Sequence, residues 1–230
     1  MKYMELDTPS FLVDQDIMMA NIEKMQKYAD EQGVALRPHT KTHKAPYLAK
    51  LQRDAGCKGI TVAKVGEAEV MAENGLDDIF IANEPVGEIK LKRILKLTET
   101  KNISFGVDCP EHVEAADRMF AGSGRHAQVV IEIEVGENRS GIIEEDKFME
   151  LLDSIKKAEN VDFLGVFSHE GHCYNAESME DCREKFIVSQ KRTLHFAKMA
   201  EEQGMKCQRV SIGSTPSLLY HFDLLPGVTE

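Results

Sequence analysis

Short apolar runs alternate along the chain with longer stretches whose apolar positions return at helical spacing. The short runs are rich in Val, Ile and Phe and too brief for helices, so they read as strands. A leading strand is predicted at 8–14 and a first central strand at 34–39. Further strands are predicted at 59–63, 78–83, 103–108, 127–135, 161–168 and 208–212. Helices are predicted at 16–32, 46–55, 67–74, 86–98, 110–120, 145–158 and 179–203. The first of these has Asp16 as N-cap, Ile17, Ile22, Met25 and Ala29 near one face, and Gly33 as its stop. Pro46 sits in the first turn of the second, and the sixth turns Phe148, Leu151, Leu152 and Ile155 inward.

Strands in strict alternation with helices imply a parallel sheet covered by helices. The regularity favours a (β/α)8 TIM-type barrel over a doubly wound sheet, and no GxGxxG follows the first strand to support the latter. Residues 1–230 form one domain on this reading. The eighth strand is expected at 227–230, where the chain stops, so a barrel truncated at its eighth strand with an open edge is expected.

Composition narrows the class. A chain that is 42% hydrophobic and 29% charged can bury a core. A net charge of −11 argues against nucleic acid, which demands a broad basic surface. Five widely spaced cysteines without a CxxC pair suit a reduced, cytoplasmic protein, and no apolar run suggests a membrane span or signal peptide.

Against this acidic background, Arg37-Pro38-His39-Thr40-Lys41-Thr42-His43-Lys44 stands out as a basic strand exit. A lysine amine forms a Schiff base once deprotonated, and cationic neighbours favour that form. Lys41 is therefore the candidate nucleophile, with a solvated basic loop as the plain alternative. Barrel active sites lie at the C-terminal strand ends. Polar groups collect there at 136–141, at 168–174 and at Gly213-Ser214-Thr215. The last follows the seventh strand, where barrels bind phosphate, and its glycine lets backbone amides approach an anion; an ordinary turn is the alternative.

Arg139 has two readings, contact with a cofactor or substrate carboxylate and a salt bridge at a helix start. Tyr174 reads as a hydrogen-bond partner of a pyridine nitrogen or substrate, or as a half-buried loop aromatic. His39 and His43, and His169 and His172, have spacings that could ligate a metal on a helix, but both pairs lie at predicted strand exits and the HExxH pattern is absent, so they read as orienting a cofactor ring or substrate. His112, His126, His195 and His221 read as surface or structural.

The octapeptide 37–44, with Thr8-Pro9-Ser10, 106–108, 136–141, 168–174 and 211–217, resembles the D-threonine aldolase and D-serine dehydratase family. These are alanine-racemase-like, fold-type III enzymes that use pyridoxal 5'-phosphate (PLP). The resemblance implies that Lys41 carries the cofactor, that Gly213, Ser214 and Thr215 bind its phosphate, and that Arg139 and Tyr174 lie on the cofactor side. It implies a D-amino acid substrate with a β-hydroxyl, a D-threonine aldolase-like carbon–carbon lyase first, and a D-serine dehydratase or racemase as alternatives. It also implies a C-terminal β domain, absent from these residues, that supplies the ligands of a divalent metal; no metal ligand is assigned within the chain. A homodimer is an option. Single-domain barrels of this type that carry PLP without turnover are the reading from a different class.

Overall fold

The computed structural model describes residues 3–230. Eight α-helices are described: α1 (Gln15–Gln32), α2 (Pro46–Asp54), α3 (Val65–Glu73), α4 (Glu88–Leu97), α5 (Pro110–Phe120), α6 (Glu145–Lys157), α7 (Met179–Glu202) and the short α8 (Thr215–Leu219). Six strands form one parallel sheet in sequence order: β1 (Ile60–Val62), β2 (Asp78–Ile81), β3 (Asn102–Val107), β4 (Ala127–Glu132), β5 (Val161–Phe167) and β6 (Arg209–Ser211). The strict alternation read from the sequence is thus the architecture observed, a parallel sheet in sequence order with helices between its strands.

The ring is completed by two extended segments outside the regular ladder. His39 bridges Thr61 in parallel, while Lys58 donates to the Leu36 carbonyl and Thr61 to that of Pro38. At the opposite edge, the Thr229 amide donates to Val210, and Ile212 donates to the Glu230 carbonyl at 3.0 Å. The Ala35 amide then reaches the Thr229 carbonyl at 2.9 Å. The edge expected to stand open at 227–230 is therefore spanned by backbone bonds to both neighbours. Segment 34–39 fills its barrel position with too few regular rungs to count as a strand.

The leading strand expected at 8–14 is not formed. Phe11, Leu12 and Val13 are exposed and pair with no strand, and Asp14 instead caps α1 through a bond from the Ile17 amide at 3.0 Å. That places the cap two residues before Asp16. Gly33 closes α1 in the left-handed region as expected. Ile17 is 61% exposed, so the expected apolar face begins only at Ile22; Tyr28 and Ala29 are buried, and the Tyr28 hydroxyl donates to the Phe222 carbonyl at 2.6 Å. Phe148, Leu151, Leu152 and Ile155 of α6 are all buried, as their spacing required.

Two apolar layers result. The larger packs the helices on the outer face of the sheet, around residues such as Ile79, Phe105, Val129 and Phe196. The smaller fills the barrel interior with Phe80, Val130 and Phe167. The rings of Phe80 and Phe167 meet edge to face at 4.9 Å, a favoured aromatic geometry. Buried Arg209 lies 5.3 Å from the Phe80 ring and donates to Ser104 Oγ at 2.9 Å. Among the described residues, no helix is long and apolar enough to cross a membrane.

Candidate functional site

A cavity of about 460 Å³ opens above this interior plug, with Phe80 and Phe167 in its lining. Lys41, Arg139, Tyr174, Gly213, Ser214 and Thr215 all line it, although up to 174 positions separate them in sequence. Each comes from the exit of a strand or strand-like segment, because a parallel barrel puts every such exit at one end.

Lys41 sits in a single 3-10 turn, Thr40–Thr42, directly after the extended segment. The turn is pinned at both sides. His39 Nδ1 accepts from the Lys41 amide at 3.3 Å, and the buried Thr40 hydroxyl donates to the Thr61 carbonyl at 3.1 Å. The Lys41 side chain is thereby left exposed to the cavity. Burial, then the charge of Lys41, pushes the His39 imidazole down to about 4, so it is neutral at pH 7.

The other basic groups of the octapeptide have separate tasks. Arg37 is buried and committed to Asp78 at 2.6 Å and Glu230 at 3.0 Å. Lys44 pairs with Glu67 at 3.4 Å, and His43 Nδ1 accepts from the Ala45 amide at the start of α2. Carboxylates thus take the charges of Arg37 and Lys44, two of the cationic neighbours of Lys41 in the octapeptide. His39 and His169 are the basic side chains set around the amine.

His169 Nδ1 lies 3.1 Å from the Gly213 carbonyl. Burial leads the lowering of its pKa, so it too is neutral at pH 7. Its ring centroid is 6.4 Å from that of Tyr174, which is 59% exposed at the mouth. His172 instead turns to α7, where its Nε2 lies 3.5 Å from Ser189 Oγ. The four histidines read as structural behave so: His126, His195 and His112 pair with Asp162, Glu145 and Asp108, and His221 packs on Tyr28.

Gly213 adopts φ +150°, and a Cβ there would approach Leu218 Cδ1 to 3.2 Å. The loop therefore needs glycine to expose its backbone. Ser214 is buried, its hydroxyl 3.0 Å from that of Ser217, and Ser217 Oγ accepts the Ser214 amide at 3.3 Å. This reciprocal cap holds α8, an element absent from the sequence reading, and leaves Thr215 exposed beside the glycine. The donor set around the cavity is an amine, two imidazoles, a guanidinium, a phenol and a Gly-Ser-Thr loop. It fits a phosphorylated aromatic aldehyde: anion donors at one end and an amine at the other.

Three acidic groups were not singled out from sequence. Glu170 is fully buried beneath the Gly213 loop, with neither oxygen in a geometrically sound hydrogen bond. Burial pushes its carboxyl up to about 7, although the Gly213 backbone and Ser214 hydroxyl nearby favour the ionised form. Glu132 Oε1 lies 3.6 Å from Arg139 and accepts from Ser140 Oγ at 3.0 Å. Glu84 faces Glu132. The available signal was carboxylates at strand exits, which only a fixed barrel register makes meaningful. Asp108, Cys109 and His112 bring donor atoms within 4.8 Å of one another, with Asp108 and His112 already paired at 3.1 Å.

Known proteins share this fold and are similar in sequence. A D-threonine aldolase from Arthrobacter sp is 31% identical over 97% of the chain. The D-threo-3-hydroxyaspartate dehydratase of Delftia sp. (strain HT23) is 34% identical over 98%. A solved structure of the Delftia sp. HT23 dehydratase superposes with a TM-score of 0.91 at 32% identity, covering 98% of this chain and 59% of that one. A D-threonine aldolase structure from Filomicrobium marinum gives 0.86 at 28% identity, covering 90% of this chain and 56% of that one. The chain spans 58% of the Arthrobacter protein and 59% of the Delftia one. The family described as alanine racemase, N-terminal domain, matches residues 13–228, and the chain belongs to it.

Proposed function

We propose that this chain is the cofactor-binding barrel of a PLP-dependent lyase acting on D-amino acids that carry a β-hydroxyl. Cleavage of the Cα–Cβ bond, as in a D-threonine aldolase, is the first reading, and loss of the β-hydroxyl, as in a D-serine dehydratase, is the alternative. The reading rests on one observation: a single cavity joins the exposed Lys41 amine to the Gly213-Ser214-Thr215 loop, with Arg139 and Tyr174 between neighbouring strand exits. Relatives named D-threonine aldolase, D-threo-3-hydroxyaspartate dehydratase and D-serine dehydratase support the same class.

When bound, PLP supplies an electron sink for negative charge at the substrate Cα. Lys41 would hold it through the side-chain amine, and the Gly213 loop through its phosphate. Tyr174 would face the pyridine nitrogen and Arg139 the ring's polar edge or a substrate carboxylate. His169 has a further part. A carbonyl only accepts, so its Nδ1 carries the proton toward Gly213, and Nε2 is left with a lone pair. That nitrogen can take a proton from a bound substrate while the loop holds the ring in place. A divalent metal at the β-hydroxyl would draw its ligands from outside these residues, and no step is assigned to it. The protein is placed in the cytoplasm, acting on a free amino acid.

The test is reduction with borohydride after incubation with PLP. Fixation of the cofactor to the tryptic peptide containing Lys41, lost in Lys41→Ala, is expected. A chain that takes up no PLP refutes the reading. Incubating the loaded protein with D-threonine or D-serine and a divalent metal then separates glycine plus aldehyde from pyruvate. Neither product would identify a carrier of PLP.

A further inference from the structure

Glu84 follows β2 and Glu132 ends β4, so β3 lies between them. They meet because β3 has no side chain in the way. A Cβ on Gly106 would come within 3.0 Å of Glu84 Oε1. Glu132 is 5% exposed, and Glu84 Oε1 is buried without a hydrogen-bond partner. Among the described residues, no lysine, arginine or histidine forms an ion pair with Glu84. The charged groups facing it are Glu132 and Asp108, and the Asp108 carboxylate is already taken by His112.

Two ionised carboxylates in this setting would repel each other and leave that oxygen unsatisfied. One proton between them removes the repulsion and turns one carboxyl into a donor to the other. Burial first, then Glu132, pushes the Glu84 carboxyl up to about 9, which agrees with the geometry. Glu132 is the member of the pair that touches Arg139, and its Oε1 also accepts from Ser140. Arg139 also pairs with Glu137 at 3.3 Å and donates from Nε to Ser140 Oγ at 3.5 Å, and it lines the cavity.

We propose that Glu84 and Glu132 form a proton-sharing carboxyl pair that positions Arg139 for the ligand: Glu132 holds the guanidinium, and Glu84 holds Glu132. Both are positioning residues, since they reach the ligand through Arg139. The ligand half of the proposal rests on the reading of the cavity as a PLP site; the proton-sharing half does not.

Two measurements test it. The first follows thermal unfolding of the full chain from pH 5 to pH 10, for wild type and Glu84→Gln. An acid whose folded pKa is raised contributes stability that is complete below its unfolded pKa and lost as pH rises through the folded one. Wild type should therefore lose ground to E84Q steadily up to about pH 9, by several degrees in Tm, and the gap should then level. Parallel curves would overturn the shared proton.

The second measures affinity for 4-deoxypyridoxine 5'-phosphate, which lacks the aldehyde and so reports nothing of Lys41. Glu132→Gln should weaken binding by about tenfold, as expected for a lost charge-assisted contact. E84Q, which keeps a donor, should bind as wild type does. In an Arg139→Ala background E132Q should have no further effect. An undiminished effect there would overturn the positioning role. If the wild type binds neither PLP nor this analogue, the cofactor reading and the ligand half fall together, and the pH comparison alone decides the carboxyl pair. Should E132Q fail to fold, E84Q still carries that comparison.

Discussion

The imidazole of His169 is tied to the carbonyl of Gly213 at 3.1 Å, joining the exit of β5 to the exit of β6. One hydrogen bond therefore sets the tautomer of a histidine in the cavity and ties it to the Gly213 loop, the loop proposed to bind the phosphate. His169→Ala removes it. PLP affinity, followed by fluorescence titration, should fall by about fivefold to tenfold, as a lost hydrogen bond of about 1 kcal/mol predicts. His169→Asn keeps a donor toward Gly213 and should recover most of that loss. Equal affinities for the alanine variant and wild type would remove the loop from the role assigned to it.

Gly213→Ala tests the same loop from its backbone. The φ of +150° is strained for any L side chain, and the added methyl meets Leu218 at 3.2 Å. A cost of about 1–3 kcal/mol is expected, read as a lowered midpoint in urea, together with weaker binding of inorganic phosphate. A stable variant with intact phosphate binding would show that the loop has another use.

Glu170 predicts a pH dependence at neutral pH. Its carboxyl is raised from 4.5 to about 7 by burial. Its contribution is complete below pH 4.5 and lost as pH rises through about 7, on the order of 3 kcal/mol in all. Glu170→Gln should therefore be more stable than wild type at pH 8 and similar at pH 5, by urea denaturation at each pH. A difference that does not change with pH would refute it.

Arg37 anchors the place where the ring closes. Its side chain is 3% exposed, between Asp78 and Glu230. Arg37→Ala strands Asp78 and leaves Glu230 to Arg209 alone, at 3.3 Å, and should cost about 3 kcal/mol, seen as a large fall in Tm. Since the Lys41 turn is held separately by His39 and Thr40, borohydride labelling of Lys41 by PLP should survive at low temperature. Loss of labelling in a folded R37A protein would show that the two ends of the segment are coupled.

Most of the fold was legible in the chain because its two periods are distinct: brief Val and Ile runs for strands, and a 3.6 spacing for helices such as α6. Strands β1 to β6 fall within the stretches read as strands, or within one residue of them, for that reason. The failures have local causes. Residues 8–14 look like a strand by composition, but Phe11, Leu12 and Val13 are exposed and no described strand pairs with them. The segment 34–39 keeps its place through bonds to Thr229, Lys58 and Thr61 rather than through a regular ladder.

The candidate site divides in the same way. By itself the sequence picked out Lys41, Arg139, Tyr174 and Gly213-Ser214-Thr215 as polar groups at strand exits, and they line one cavity. Only the tertiary structure decided how they are used. It separated Arg37 from Lys41 by giving the first to Asp78 and Glu230. It turned the Ser214 hydroxyl inward to Ser217. It also brought Glu84 over Gly106 to Glu132, a contact spanning 48 positions that no periodicity encodes. Local pattern reports what a residue prefers, whereas charge pairing and burial depend on what the closed barrel places beside it.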